Sequence, residues 1–347
     1  MKKTLAALIV SAFAASAANA AVVYDNEGTK VELNGSLRLI MEKADKKEYD
    51  AANHSTKKSN SALRNAGSRF GITVKHNLDN DFYALGRVEF RFDDTTSRDK
   101  FGGVYAKRAY VGLGSKAIGE LKFGRQLTIA DDLTQANDYD YGFIPKEEYI
   151  PTAGTGVVRY DYKGIEGLQL SANYNFGQTN DEKGNPLKPG IKNAYAVGAL
   201  YTVGDLDARL AYGHTNFETG ASYAHRLDGV LASLGYKFGD FTLTGDFAYG
   251  HEKFDDEKTN KFYVAPGFAY QVLPASKVYG NYLYERVKGE NTKDKTHGFL
   301  LGADYKLHKQ VVLFVEGKYV TTKEYVNDTY DGKTKDRAIG VGMRVFF

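Results

Sequence analysis

The residues of this 347-residue chain best placed to do chemistry are charged side chains spaced two apart. Arg87, Glu89 and Arg91 alternate with Val88, Phe90 and Phe92. Arg38, Arg69, Lys75, Asp207, Arg209, Lys306, Lys318 and Arg344 fall in the same way on the stripe opposite apolar or aromatic neighbours. In a strand, successive side chains point to opposite faces, so charges collect on one face and aromatics on the other. Fixed charges of both signs facing water can order that water and sort solutes by charge and dipole. A second group lies in the segment Gln126 to Thr152, which carries Asp131, Asp132, Asp138, Asp140, Glu147 and Glu148 among Tyr139, Tyr141, Phe143 and Tyr149.

Catalytic readings fit these residues less well. Asp131-Asp132 and Asp255-Asp256 with a histidine could activate water, as paired carboxylates do in hydrolases, but the seven histidines are dispersed and read as surface residues. Gly112-Leu113-Gly114-Ser115-Lys116-Ala117 imitates a dinucleotide fingerprint. That motif needs a following helix, whereas Glu120 to Gly124 alternates as a strand, so the stretch reads as a turn. Without cysteine there is neither a disulfide framework nor thiol chemistry. No metal or cofactor site is read. With 46 basic and 43 acidic residues the formal charge is only +3, which gives no support to nucleic-acid binding.

The elements that must position these charges begin after a leader. Met1 to Ala20 has two lysines, an apolar run and small residues ending Ala18-Asn19-Ala20, a secretory signal peptide with cleavage expected after Ala20. A transmembrane anchor would need roughly 20 consecutive apolar residues. The mature domain is expected to be 21–347. Abundant Tyr, Phe and Gly favour strands and tight turns.

Alternation predicts sixteen strands, at about residues 31–42, 69–75, 82–92, 104–114, 118–126, 153–163, 167–177, 193–203, 206–215, 227–238, 241–250, 262–272, 277–287, 297–307, 311–321 and 337–347. Short turns such as Gly204-Asp205, Gly239-Asp240 and His308 to Gln310 interleave with long polar loops. These are expected at Ala44 to Asn65, Gln178 to Lys192, Thr215 to Arg226, His251 to Lys261, Lys288 to Thr296 and Thr322 to Asp336. Short turns on one side and long loops on the other describe a bacterial outer-membrane barrel. An even strand count lets the last strand pair with the first and removes every open edge. About sixteen strands leave a water-filled channel. A soluble all-β sandwich would alternate too, but would not segregate its long charged side chains opposite an aromatic stripe.

The final strand, Ala338 to Phe347, places Ile339, Val341, Met343, Val345 and Phe347 on one face and Gly340, Gly342 and Arg344 on the other. Here the chain resembles the general porins of Gram-negative outer membranes, which end in such a strand with a terminal Phe. Val111-Gly112-Leu113-Gly114 and Gly119 to Arg125 resemble that family's fourth and fifth strands. The resemblance implies a sixteen-stranded antiparallel transmembrane β-barrel with a long inward-folded third loop. Its function would be passive diffusion of small hydrophilic solutes and ions as a homotrimer among outer-membrane lipid and lipopolysaccharide. Surface adhesion through the external loops, or hydrolysis on a barrel scaffold, is the alternative.

Carried over by residue, the resemblance implies a basic constriction wall of Arg38, Arg69, Arg87, Lys107 and Arg159. The acids of the constriction would be Glu89, Asp131, Asp132, Asp138 and Asp140. The family's acidic Pro-Glu-Phe-Gly-Gly loop tip is absent. Ser36 stands at its first-strand basic position, with Arg38 one inward step away, so a displaced ladder is expected. Arg108 and Arg125 are read on the outward face and assigned to the trimer interface. Val345 and Phe347 are assigned to barrel closure, as a signal to the insertion machinery.

Overall fold

The structure, a computed structural model, describes residues 20–93, 103–219 and 224–347. The expected leader therefore lies outside the described residues apart from Ala20. Sixteen barrel strands follow in chain order. The first eight are β1 (Thr29–Tyr49), β2 (Ser55–Asn65 and Arg69–Asn77), β3 (Phe82–Phe92), β4 (Val104–Ser115), β5 (Gly119–Leu127), β6 (Ala153–Ile165), β7 (Leu168–Asn175) and β8 (Pro186–Val203). The others are β9 (Leu206–Phe217), β10 (His225–Phe238), β11 (Phe241–Phe254), β12 (Glu257–Leu273), β13 (Ser276–Lys288), β14 (Thr292–His308), β15 (Val311–Val326) and β16 (Thr329–Phe346). Each pairs antiparallel with the next, and β16 pairs with β1 from Phe346↔Ser36 to Lys333↔Tyr49.

Burial along the strands inverts that of a globular protein. On β16, Ile339, Val341 and Met343 are 59%, 52% and 43% exposed, whereas Ala338, Gly340 and Gly342 are buried. The buried stripes hold Glu89, Asp161, Asp207, Asp246, Asp304 and Glu316. A soluble sandwich puts its apolar stripe inside. Here the apolar stripe faces outward, as the lipid face of a membrane barrel must.

The seam is finished by chain ends. Gly35 N–H donates to the Phe347 carbonyl at 2.8 Å, and Phe347 N–H returns to the Gly35 carbonyl at 3.1 Å. Val345 lies opposite Leu37. Beyond this point an arm, Ala21–Asn26, runs antiparallel to Thr29–Leu33 and pairs the stretch of β1 that β16 does not reach.

Two departures from the sequence reading matter. Most of the expected long loops are hairpin extensions of the strands, closed by residues as few as Asp255-Asp256 or Asn327-Asp328. Beyond the bilayer a ladder needs only its own hydrogen bonds and no apolar stripe, so alternation of hydrophobicity stops before the strand does. Asn327 and Asp328 take φ of +48° and +59°, the left-handed conformation that a tight two-residue hairpin turn demands. The second departure is a bulge in β2. Asn65 pairs with Leu39 and Arg69 with Ser36, one residue more on β2 than on β1. Asn65 stitches the excursion by donating to the carbonyls of Phe92 (3.1 Å) and Asp93 (3.0 Å) and accepting from Ser68 N–H (2.9 Å). Such bulges re-aim side chains, here Arg69.

The seam yields a test. A Cβ at Gly35 would sit 2.8 Å from the Arg69 carbonyl oxygen and against the Phe347 ring. Gly35→Val is expected to destabilise the barrel by about 1–3 kcal/mol through overpacking, read as a lower temperature for the heat-induced mobility shift in detergent. An unchanged transition would show that the seam tolerates the added bulk.

Candidate functional site

Cross-strand register assembles the charged site. Arg87, Glu89 and Arg91 follow one another on the inward stripe of β3; Arg69 on β2 lies opposite Arg91, and Arg108 on β4 lies opposite Glu89. Glu89, only 3% exposed, is approached by Arg91 Nε at 2.9 Å, Arg87 Nη2 at 3.0 Å, Arg108 Nε at 3.6 Å and Arg69 Nη1 at 3.9 Å. Two like charges 4 Å apart repel by about 4 kcal/mol at the effective dielectric of a protein surface, so one carboxylate is what allows four guanidiniums to share this wall. It does not neutralise them. The stripe continues through Arg38, opposite Arg344 across the seam. Arg38 Nε donates to Ser36 Oγ at 2.7 Å.

The other half of the site is the segment 128–152 between β5 and β6. Two short 3-10 turns, Ile129–Asp132 and Lys146–Glu148, interrupt an otherwise irregular path; Thr128 caps the first by accepting from Ala130 N–H at 3.3 Å. A backbone without a neighbouring strand leaves its N–H groups unpaired, and each one buried without a partner costs about 1–3 kcal/mol. Wall carboxylates supply the partners. Glu316 on β15, 0% exposed, accepts from the N–H groups of Tyr139 (2.7 Å), Asp140 (2.8 Å) and Tyr141 (2.5 Å) and from the Tyr279 hydroxyl (2.8 Å). Asp246 on β11 accepts from Gln135 N–H at 2.9 Å and Ala136 N–H at 3.1 Å.

Apolar contacts seat the same segment. Ile129, Leu133, Tyr149 and Ile150 form one buried cluster with Ala196, Ala211, Leu231, Ala248 and Tyr263 of the inner wall. Tyr141 joins a second with Ile40, Tyr279, Leu300 and Phe314. The wall is cut small to admit them: a Cβ at Gly213 would come within 2.6 Å of Ile150, and one at Gly298 within 2.9 Å of Phe143. Arg344 stacks on the Tyr139 ring at 4.7 Å and donates to the Tyr139 carbonyl.

Of the residues expected here, Arg159 and Asp132 meet: Nη2 lies 2.5 Å from Asp132 and 2.9 Å from Asp161. Asp131 pairs within the segment, 3.1 Å from Lys146. Asp140 pairs with Arg64, which also holds Glu42 at 2.9 Å. Asp138 is exposed.

Three expectations need correction, those for Arg69, Lys107 and Arg108. Arg69, expected against the acids of the segment, has Glu89 and the Gly67 carbonyl (3.0 Å) as its partners. Lys107 bonds to Glu182 in the β7–β8 connection, because a register shift between β3 and β4 skips it. Arg108 is inward: the outward residues of β4 are Val111 and Leu113, 63% and 53% exposed, and Arg108 shares the face of Gly112 and Glu89. Arg125 does lie on the outward stripe with Phe123, but its Nη1 already donates to the carbonyls of Ala106 (3.2 Å) and Glu182 (3.3 Å).

Sequence reasoning missed Arg64, Asp246 and Glu316. Arg64 fell in a stretch read as loop. Asp246 shares its inward stripe with Thr244, Ala248 and Gly250, whereas Glu316 stands between Phe314 and Lys318 on its own stripe. A lone acid among small inward residues is thus a readable signal for a docked backbone at Asp246, and Glu316 carries no such local signal.

The chain matches the family model for Gram-negative porins over residues 4–325. It is 33% identical to the major outer membrane protein of Pasteurella multocida over the full length of both chains. Its fold is similar to the trimer form of OmpT from Vibrio cholerae, with a TM-score of 0.68 at 18% identity, covering 92% of this chain and 100% of that one. It is also similar to the anion-selective porin from Comamonas acidovorans, with a TM-score of 0.64 at 20% identity over 92% and 100% of the two chains. A closed barrel with a lipid-facing apolar stripe, a charged interior and these relatives lead to one conclusion: the chain belongs to the Gram-negative porin family and is an outer-membrane β-barrel channel.

Proposed function

We propose that the channel passes small hydrophilic solutes and ions by diffusion, with no catalytic step, and that residues 128–152 set its narrowest point. The observation that carries this reading is the acceptance of three consecutive backbone N–H groups by Glu316, which fastens the segment across the barrel from its own strands. Its hydrogen bonds run to β7 through Asn173, to β11 through Asp246, to β13 through Asn281, to β15 through Glu316 and to β1 and β2 through Glu42 and Arg64. The wall left open is that of β3 and β4, which carries Arg87, Arg91 and Arg108. A passage between this wall and the segment lies in a transverse field, which disfavours bulky apolar solutes with no dipole to align. Four guanidiniums around one carboxylate leave the wall positive, so anions are favoured over cations in the passage.

Single-channel recording in planar bilayers tests both halves. Glu316→Ala removes the acceptor for four donors and is expected to raise the conductance or make it fluctuate as the segment loosens. Arg87→Gln with Arg91→Gln is expected to shift the reversal potential under a salt gradient toward cation preference. Wild-type conductance and reversal potential in both variants would remove these residues from the narrow point.

For assembly we propose a homotrimer whose boundary is the outward stripe of β4 and β5, with Arg125 at its upper edge. Support comes from the exposed Val111, Leu113, Leu121 and Phe123, and the related fold of Vibrio cholerae OmpT is described in a trimer form. An arginine facing lipid costs about 2–4 kcal/mol at the midplane and about 0–1 kcal/mol near the interface, so at this upper edge a partner subunit would relieve a small cost. The exposed terminal Phe347, with Val345, would serve the insertion machinery before the seam closes. Arg125→Ala is expected to lower the temperature at which trimers dissociate in detergent by several degrees; a wild-type protein migrating as a monomer on native gels would contradict the trimer.

A further inference from the structure

Arg38 differs from the other arginines of the basic wall in what holds it. Arg91, Arg87, Arg108 and Arg69 approach Glu89 at 2.9, 3.0, 3.6 and 3.9 Å. Among the described residues no carboxylate comes within ion-pair distance of Arg38. Its Nε donates at 2.7 Å to the hydroxyl of Ser36, two residues back on the same inward stripe of β1, and its Cζ lies 6.0 Å from the centre of the Phe346 ring. Ser36 is 2% exposed and lies opposite Phe346 on one side and Arg69 on the other. The guanidinium is therefore folded back along its own strand, toward the short-turn end of the barrel.

The main chain of Arg38 is held independently of this. At the bulge β2 pairs with Leu39 and with Ser36 but skips Arg38. The buried Ser68 fills the gap: its Oγ accepts from Arg38 N–H at 2.9 Å and donates to the Arg38 carbonyl at 3.3 Å, which also accepts from Ala66 N–H at 2.9 Å. With the main chain pinned by the bulge, the direction of the side chain is left to Ser36.

The row that Ser36 occupies decides what this direction does. Ser36 lies opposite Arg69, and Arg69 opposite Arg91. Neighbouring strands are about 4.8 Å apart, so bonding to Ser36 carries the Arg38 guanidinium onto the row of the Glu89 cluster. Like charges repel there, and an untethered Arg38 side chain would swing away. A carboxylate at position 36 would hold the guanidinium but cancel its charge, whereas a hydroxyl holds it by a lone pair and leaves the charge whole. We infer that Ser36 is a positioning residue for selectivity: it keeps Arg38 in the basic wall as an unneutralised cation facing permeating anions. The inference rests on the anion preference proposed above and concerns how that preference is built.

Reversal potentials of the intact barrel in planar bilayers under a salt gradient test it. Wild type, Ser36→Ala, Ser36→Thr, Arg38→Gln and the double variant Ser36→Ala with Arg38→Gln are compared, each checked for a folded barrel by its heat-induced mobility shift. Ser36→Ala removes one oxygen and no charge, yet it is expected to shift the reversal potential toward cation preference, in the direction of Arg38→Gln and by no more than that variant. Ser36→Thr keeps the hydroxyl and is expected to retain the wild-type value. In the Arg38→Gln background Ser36→Ala is expected to add nothing. A wild-type reversal potential in Ser36→Ala would overturn the proposal, and so would an undiminished alanine shift in the Arg38→Gln background, since Ser36 would then act without Arg38. A wild type without anion preference would overturn it through the selectivity reading on which it rests, a result distinguishable from the other two because it appears before any substitution.

Discussion

The constraint on which everything else in this protein depends is that a bilayer core offers no hydrogen-bond partner to a backbone amide. A strand can cross only if both its edges are paired, so the sheet must close. Closure forces the two faces of every strand into different solvents. Apolar side chains such as Val111, Val341 and Met343 go outward, and Glu89, Asp246 and Glu316 go inward. The charged interior is thus a consequence of closing the sheet, and the exchange of hydrogen bonds between Gly35 and Phe347 is where closure is completed.

The same rule governs the segment within. Residues 128–152 have no strand beside them, and their N–H groups turn to the carboxylates of Glu316 and Asp246. A carboxylate accepts several hydrogen bonds at once without donating, which suits it to hold consecutive amides. Those acids are occupied in anchoring, and Asp140 and Asp132 are occupied by Arg64 and Arg159. Around Glu89 four arginines share one carboxylate, so that wall keeps positive charge that no acid on it neutralises.

Strand positions and facing were legible in the sequence because the membrane imposes alternation over every crossing; the outward set of the last strand reads directly from Ile339, Val341 and Met343. Where the membrane ends, so does the signal, which is why the hairpins of β1–β2 and β15–β16 read as loops. The site was legible by parts. Arg87, Glu89 and Arg91 declare themselves by spacing, and Arg159 finds Asp132. Arg108 was turned to the wrong face because Gly112 and Gly114 line an interior stripe too small to look like one. Lys107 and Arg69 depend on register shifts that no local pattern announces. Arg64 depends on a strand extension, and the anchoring role of Glu316 on a partner 175 residues or more away.

The central claim, that residues 128–152 lie in the water-filled lumen across from the arginine wall, can be tested by single-thiol labelling, since the chain has no native cysteine to interfere. Cysteine would be placed in turn at exposed Asp138, at Arg87 and, as an outward control, at Leu301, and a small charged thiosulfonate added during bilayer recording. The account predicts stepwise loss of current at Asp138→Cys and Arg87→Cys and none at Leu301→Cys. Complete modification of Asp138→Cys, confirmed by mass, with undiminished current would contradict it.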